Sequence, residues 1–185
     1  MIVVTGANGF IGRNLTEKLR FNDEEVLTVD FVGKHLRPRE LFSYIQDNKK
    51  IKAILHNGAC SDTTQDSLER IIDWNAGYTI RLINHCIKNN IKLIYASSAS
   101  VYGDGPFKED SSYKPKNTYA KTKSVVDMYS SMLFDKTDQL VSLRYFNVYG
   151  KYEENKGHMA SVVYKFFNEK NTNKMYANQL INEAE

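Results

Sequence analysis

No apolar run in this chain approaches the roughly 20 residues that a membrane-spanning helix needs. The N-terminus shows no basic region followed by a small-residue cleavage site, so it reads as a strand rather than a secretory signal. Cysteine is scarce. Cys60 and Cys86 fit neither a metal-ligand nor a redox spacing, which excludes a disulfide scaffold, leaves no metal site in view, and fits a reduced, cytoplasmic setting. A dominant charge of one sign is also missing. The net charge is +3 with both signs interspersed, so neither nucleic acid nor a membrane surface is indicated as a partner. Repeats and low-complexity linkers are absent too. What is present is 42% hydrophobic and 25% charged residues in a chain of 185, the make-up of a globular protein with one full core.

The chain is organised around its first nineteen residues, M-I-V-V-T-G-A-N-G-F-I-G-R-N-L-T-E-K-L. Ile2, Val3 and Val4 predict a strand buried on both faces. Gly6, Gly9 and Gly12 follow, and Phe10, Ile11, Leu15 and Leu19 then take up helical spacing. A strand that passes through glycines into a helix start makes an anion site, because backbone N–H groups and the positive end of the helix dipole face a phosphate. The spacing G-x-x-G-x-x-G differs from the G-x-G-x-x-G of the commonest dinucleotide fingerprint.

Strands and helices then alternate. Glu25 to Asp30 predicts a second strand ending in an acid that suits the ribose hydroxyls of an adenosine. A helix opens at Pro38, and Lys52 to Leu55 is the next strand. Asp66 to Asn89 predicts one long helix, and Lys92 to Ser97 another strand. Ser124 to Phe134 is helical, Leu140 to Tyr145 a strand, and Met159 to Phe167 helical. The expected fold class is α/β, a Rossmann-like, doubly wound parallel sheet.

Chemistry is expected beyond the carboxyl ends of those strands. L-I-Y-A-S-S ends in Ser97 and Ser98, and Tyr119 and Lys123 stand four residues apart on one helix face. A tyrosine near pKa ~10 is a poor base at neutral pH, whereas a neighbouring ammonium favours its phenolate. A serine hydroxyl can hold the substrate oxygen, so the three together can move a proton while a nicotinamide takes a hydride.

T-G-A-N-G-F-I-G, Y-A-S-S-A-S-V-Y-G, Y-A-K-T-K and R-Y-F-N-V-Y-G resemble the extended short-chain dehydrogenase/reductase superfamily of nucleotide-sugar epimerases, dehydratases and reductases. H-N-G-A-C-S-D-T-T (His56 to Thr64) and E-x-N-K-G-H-M-A-S (Glu153 to Ser161) resemble segments of its ADP-glycero-manno-heptose 6-epimerases. The resemblance implies Gly6, Gly9 and Gly12 at a pyrophosphate, Asp30 at the ribose, and Phe10, Ile11, Asn75, Tyr119 and Lys123 also on the cofactor. It implies Ser98, Tyr119 and Lys123 as catalytic residues, Lys156 as a second base on the opposite sugar face, and Ser98 and Asn147 at the nucleotide sugar. The implied reaction oxidises C6″ of an ADP-heptose with tightly bound NADP, turns the aldehyde, and returns the hydride to its other face. That reaction supplies a lipopolysaccharide precursor, in a homo-oligomeric enzyme.

Three departures qualify these expectations. Family chains are longer, and the substrate-binding part with its R-D-F/Y-V segment is expected to be largely missing. This leaves a dinucleotide-binding domain over 1–157 and a remnant over 158–185. Asp30 to His56 is too short for the usual third strand. Arg13 and Lys34 suit a 2′-phosphate while Asp30 repels one, so NADP and NAD both stand as cofactors. The alternative functions are a dinucleotide-binding module without turnover, or another epimerase or dehydratase of the superfamily.

Overall fold

The computed structural model describes residues 1–48, 50–60 and 67–168. The chain divides into two compact units, 1–146 and 147–185, which are taken separately.

The first unit carries a five-stranded sheet. Its strands are β1 (Ile2–Thr5), β2 (Val26–Val29), β3 (Ala53–His56), β4 (Lys92–Ser98) and β5 (Leu140–Tyr145). They are all parallel and lie in the order β2-β1-β3-β4-β5. The register places Thr5 beside His56, His56 beside Tyr95, and Ser97 beside Arg144, so one row of polar side chains runs along the carboxyl ends. Among the described residues, no sixth strand continues the sheet beyond β2. A single parallel bridge from Val29 to Leu36 stands where the short Asp30–His56 passage leaves no room for more.

The helices are α1 (Phe10–Phe21), α2 (Glu40–Asp47), α3 (Leu68–Ile72), α4 (Tyr78–Lys88) and α5 (Thr118–Ser131). Leu41 and Ile45 of α2, Leu82, Ile83 and Cys86 of α4, and Val126 of α5 pack with Val3, Val29, Ile54, Leu93, Tyr95 and Leu140 in one core. Val4 is equally buried but lies outside that core, on the alternate face of β1 where α1 packs.

The long helix expected over Asp66 to Asn89 is interrupted. A π-helical turn at Asp73–Gly77 joins α3 to α4, while Asp66 itself lies outside the described residues. The helix expected to open at Tyr119 and to continue over Ser124 to Phe134 begins at Thr118, where the Asn117 side chain caps it by accepting the Ala120 N–H at 2.8 Å. In the second unit a 3₁₀ turn over Glu153–Met159 precedes α6 (Val162–Asn168), so the helix expected from Met159 starts three residues later. Among the described residues no helix is long and apolar enough to cross a membrane.

Candidate active site

The glycine-rich turn joins β1 to α1. Gly6 has φ +65°, and a Cβ there would lie 2.8 Å from the Gly58 nitrogen. A Cβ on Gly12 would collide with the Gly6 carbonyl, so packing alone dictates both glycines. Gly9 is different. It is the N-cap of α1, and a Cβ there meets only the Gly6 oxygen, at 3.2 Å. No side chain caps α1 and no acid stands in its first turn. Phe10 and Gly12 are buried and Ile11 is half-buried along that turn.

Asp30 ends β2 and holds the turn. Its Oδ2 accepts the Asn8 N–H at 2.7 Å, and its Oδ1 accepts the Phe31 N–H at 2.7 Å. The Arg13 guanidinium donates to the Asn8 side-chain oxygen at 2.9 Å, while Lys34 is exposed.

His56 ends β3 and is fully enclosed. Its Nε2–H donates to Thr79 Oγ1 at 3.0 Å, and that hydroxyl in turn donates to the Asn75 carbonyl at 2.8 Å. Its Nδ1 then accepts from Thr5 Oγ1 at 2.6 Å, and the same oxygen accepts the Gly58 N–H at 3.2 Å. This chain of donors and acceptors closes only with the neutral Nε2–H tautomer. Burial, and then the charge of Lys123, push the imidazole from 6.5 down to about 3. Asn75 sits in the π turn, and its amide takes both polar groups of the Cys60 backbone, the N–H at 2.7 Å and the carbonyl at 2.9 Å. Ser61 to Thr64, the rest of the segment that begins at His56, lie outside the described residues.

Ser98, Tyr119 and Lys123 meet at the end of β4 and the start of α5. Ser98 Oγ accepts from the Ser100 N–H at 3.2 Å and the Ser100 hydroxyl at 2.9 Å, and its hydroxyl acts on the Tyr119 phenol. Burial pushes that phenol above its ordinary value, and the Ser98 hydroxyl offsets part of the rise. Lys123 is buried, its Nζ donates to the Ala96 carbonyl at 2.8 Å, and it lies 5.7 Å from the centre of the Tyr119 ring. Burial lowers Lys123 from 10.5 to about 8, and the Asp127 charge opposes that fall.

Asn147 and Lys156 belong to the second unit, and both are exposed. Lys156 lies in the 3₁₀ turn beside buried Glu153. The Glu153 carboxylate accepts the Ser161 N–H at 2.5 Å, the Ser161 hydroxyl at 3.0 Å and the Gly150 N–H at 3.3 Å. Burial works to raise its pKa, but those bonds and the Lys156 charge outweigh it and hold the group below the usual carboxylate range.

Reading the sequence misses Asp127 and Arg144. Asp127 is buried on α5, one turn after Lys123. It accepts from Tyr95 and Ser142 on one oxygen and from Ser97 and Arg144 on the other, all within 2.8–2.9 Å. The available signals were its i+4 spacing from Lys123 and the arginine that opens R-Y-F-N-V-Y-G.

Comparison with known proteins matches residues 2–181 to the NAD dependent epimerase/dehydratase family. The chain belongs to that family. An ADP-L-glycero-D-manno-heptose-6-epimerase from Brachyspira hyodysenteriae is 39% identical over 194 residues, covering 91% of this chain and 61% of the relative. The crystal structure of the Helicobacter pylori ADP-L-glycero-D-manno-heptose-6-epimerase superposes with a TM-score of 0.72 at 28% identity, over 88% of this chain and 60% of that one. A UDP-N-acetylglucosamine 4-epimerase from Methanobrevibacter ruminantium, solved with UDP-N-acetylmuramic acid, gives 0.78 at 26% identity, over 90% and 61%. This epimerase/dehydratase chain thus spans about 60% of the relatives it matches.

The family's nicotinamide dinucleotide fits the residues present. The start of α1 has no side-chain cap, and its N-cap Gly9, with only hydrogen on the α-carbon, leaves space at the positive end of the helix for a pyrophosphate. Asp30 stands at the end of β2 with a carboxylate already oriented by backbone N–H groups.

Proposed function

We propose that this chain carries the dinucleotide-binding and catalytic part of a nucleotide-sugar epimerase acting on an ADP-glycero-manno-heptose. The observation that carries the reading is the Ser98–Tyr119–Lys123 group at the carboxyl end of β4, in the same parallel-sheet unit as the glycine turn. The named relatives support the choice of sugar.

A bound nicotinamide dinucleotide supplies the hydride acceptor and donor. Tyr119 takes and returns the proton of the reacting hydroxyl, and Ser98 orients the phenol and the sugar oxygen. Lys123 supplies positive charge at the ring, and with a pKa near 8 it remains mostly an ammonium at pH 7. Lys156 serves the opposite face of the transient aldehyde, since one base does not reach both faces, and Asn147 contacts the nucleotide sugar. NADP is the cofactor that the resemblance favours, with Arg13 close to the turn. NAD is the second reading, favoured by the Asp30 carboxylate, which repels a 2′-phosphate. The reading further includes a cytoplasmic, homo-oligomeric enzyme that makes a lipopolysaccharide precursor, with the cofactor domain over 1–157.

The test is interconversion of the two ADP-heptose epimers, followed by chromatography, in this chain and in one extended by a relative's remaining C-terminal part. Tyr119→Phe and Lys156→Met are each expected to lose roughly 10²–10⁴ in turnover and to keep dinucleotide binding. Turnover in neither form overturns the reading. Full activity in Lys156→Met removes that lysine from the mechanism.

A further inference from the structure

The connection from β4 to α5, residues 103–117, is the longest passage in the first unit without a regular element, and it leads straight into Tyr119. It is pinched at its base. The Lys114 N–H donates to the Val101 carbonyl at 2.8 Å, and Gly103, with φ +62°, lies so close to the Lys114 backbone that no Cβ fits there. The Arg144 guanidinium holds it from the sheet side. One terminal nitrogen donates to the Tyr102 hydroxyl at 3.0 Å and to the Glu109 carbonyl at 3.0 Å, and the other donates to the Tyr113 hydroxyl at 2.9 Å. Its plane also lies over both tyrosine rings, about 5 Å from each centre. The remaining nitrogen, Nε, goes to Asp127 at 2.9 Å. One planar fork therefore ties the beginning and the middle of the connection to β5 and α5, which a lysine's single ammonium does not reproduce.

We infer that Arg144, anchored by Asp127, is a positioning residue whose fork fixes the 103–117 connection and thereby the approach of a sugar to Ser98 and Tyr119. The second half of this inference rests on the reading under Proposed function; the first half stands on the fork itself. Asp127 has two oxygens and four donors, with Tyr95, Ser97 and Ser142 taking the rest of its capacity. This leaves the guanidinium one way to sit. Lys108 in the connection is exposed and offers trypsin a site that the fork protects.

The experiment compares Arg144→Lys, Arg144→Met and the milder Tyr113→Phe with wild type. Tryptic cleavage at Lys108 is followed by mass spectrometry, dinucleotide affinity by calorimetry, and kcat and KM on ADP-glycero-manno-heptose in the extended chain. Arg144→Lys keeps the charge facing Asp127, yet cleavage is expected to be about tenfold faster, with Tyr113→Phe intermediate. Its kcat is expected to fall about tenfold or more while dinucleotide affinity stays within a factor of two, the signature of misplacement rather than unfolding. Wild-type cleavage and kcat in Arg144→Lys would show that the ion pair alone suffices and overturn the inference. Faster cleavage with unchanged kcat and KM overturns the positioning role. If wild type shows no turnover, the epimerase reading fails, and the cleavage rates still decide whether the fork holds the connection.

Discussion

The Thr5 hydroxyl and the His56 imidazole share a hydrogen bond of 2.6 Å between register partners on β1 and β3. It ties the strand that enters the glycine turn to the strand whose end meets the π turn, and it needs a neutral ring. The folded pKa near 3 is depressed from 6.5, so the unfolded chain binds the proton more readily. His56 therefore contributes stability above about pH 6.5, and that stability is lost as pH falls toward 3. His56→Gln is expected to cost about 1–3 kcal/mol at pH 7 in urea unfolding, the worth of a disrupted buried network. The difference from wild type should shrink steadily at pH 5 and 4. A gap that does not change with pH would contradict this.

Lys123 shows the opposite balance of function against stability. Its folded pKa is depressed from 10.5 to about 8, so the folded state holds a poorly solvated charge at neutral pH. The penalty is complete below pH 8 and vanishes above about 10.5. Relative to wild type, Lys123→Met should gain on the order of 3 kcal/mol between pH 10.5 and pH 7, read from paired melts, while losing turnover.

The glycines should separate into two classes. Gly12→Ala drives a methyl into the Gly6 carbonyl and should destabilise by about 1–3 kcal/mol, as overpacking does. Gly9→Val should cost about 1 kcal/mol of stability, from a poorer N-cap and a Cβ 3.2 Å from the Gly6 oxygen, and abolish NAD and NADP binding in titration calorimetry, because its branched side chain fills the pyrophosphate's approach. Binding retained in Gly9→Val would remove that turn from the cofactor site.

Helix α6 should drive association. Val162, Val163, Phe166 and Phe167 are each more than half exposed, and no residue of the helix is buried. Light scattering at micromolar concentration is expected to show self-association, and Val162→Lys with Phe166→Glu should reduce it. A monodisperse monomer in wild type would refute the expectation.

The strands were legible because each holds a short apolar stretch, β-branched in β1 and β2, and β1 and β5 match their expected ranges to within a residue. The grouping of Ser98, Tyr119 and Lys123 was legible because Tyr119 and Lys123 share a helix face and Ser98 closes a strand. The interruption at Asp73–Gly77 was hidden: Trp74 and Tyr78 keep the apolar spacing through it, and the amide of Asn75 has its partner fifteen residues back at Cys60. Asp127 was hidden for a related reason. An acid on a helix reads as solvated until four donors from two strands converge on it. The cap of α5 was hidden because it lies in Asn117, ahead of any apolar periodicity.

The lone bridge between Val29 and Leu36 leaves the outer rim of the sheet almost bare. Thr5, His56, Ser98 and Tyr119 all lie on the inner strands or on α5, and the rim meets the glycine turn through the Val29 carbonyl, which accepts the Ala7 N–H, and through Asp30. Length can therefore be added between Val32 and Lys34, ahead of the Leu36 bridge, without displacing those four side chains. For an engineer, this rim is the graft point of the molecule: a strand supplied there, by insertion or by another chain, extends the edge that Leu36 begins and leaves the far end of the row undisturbed.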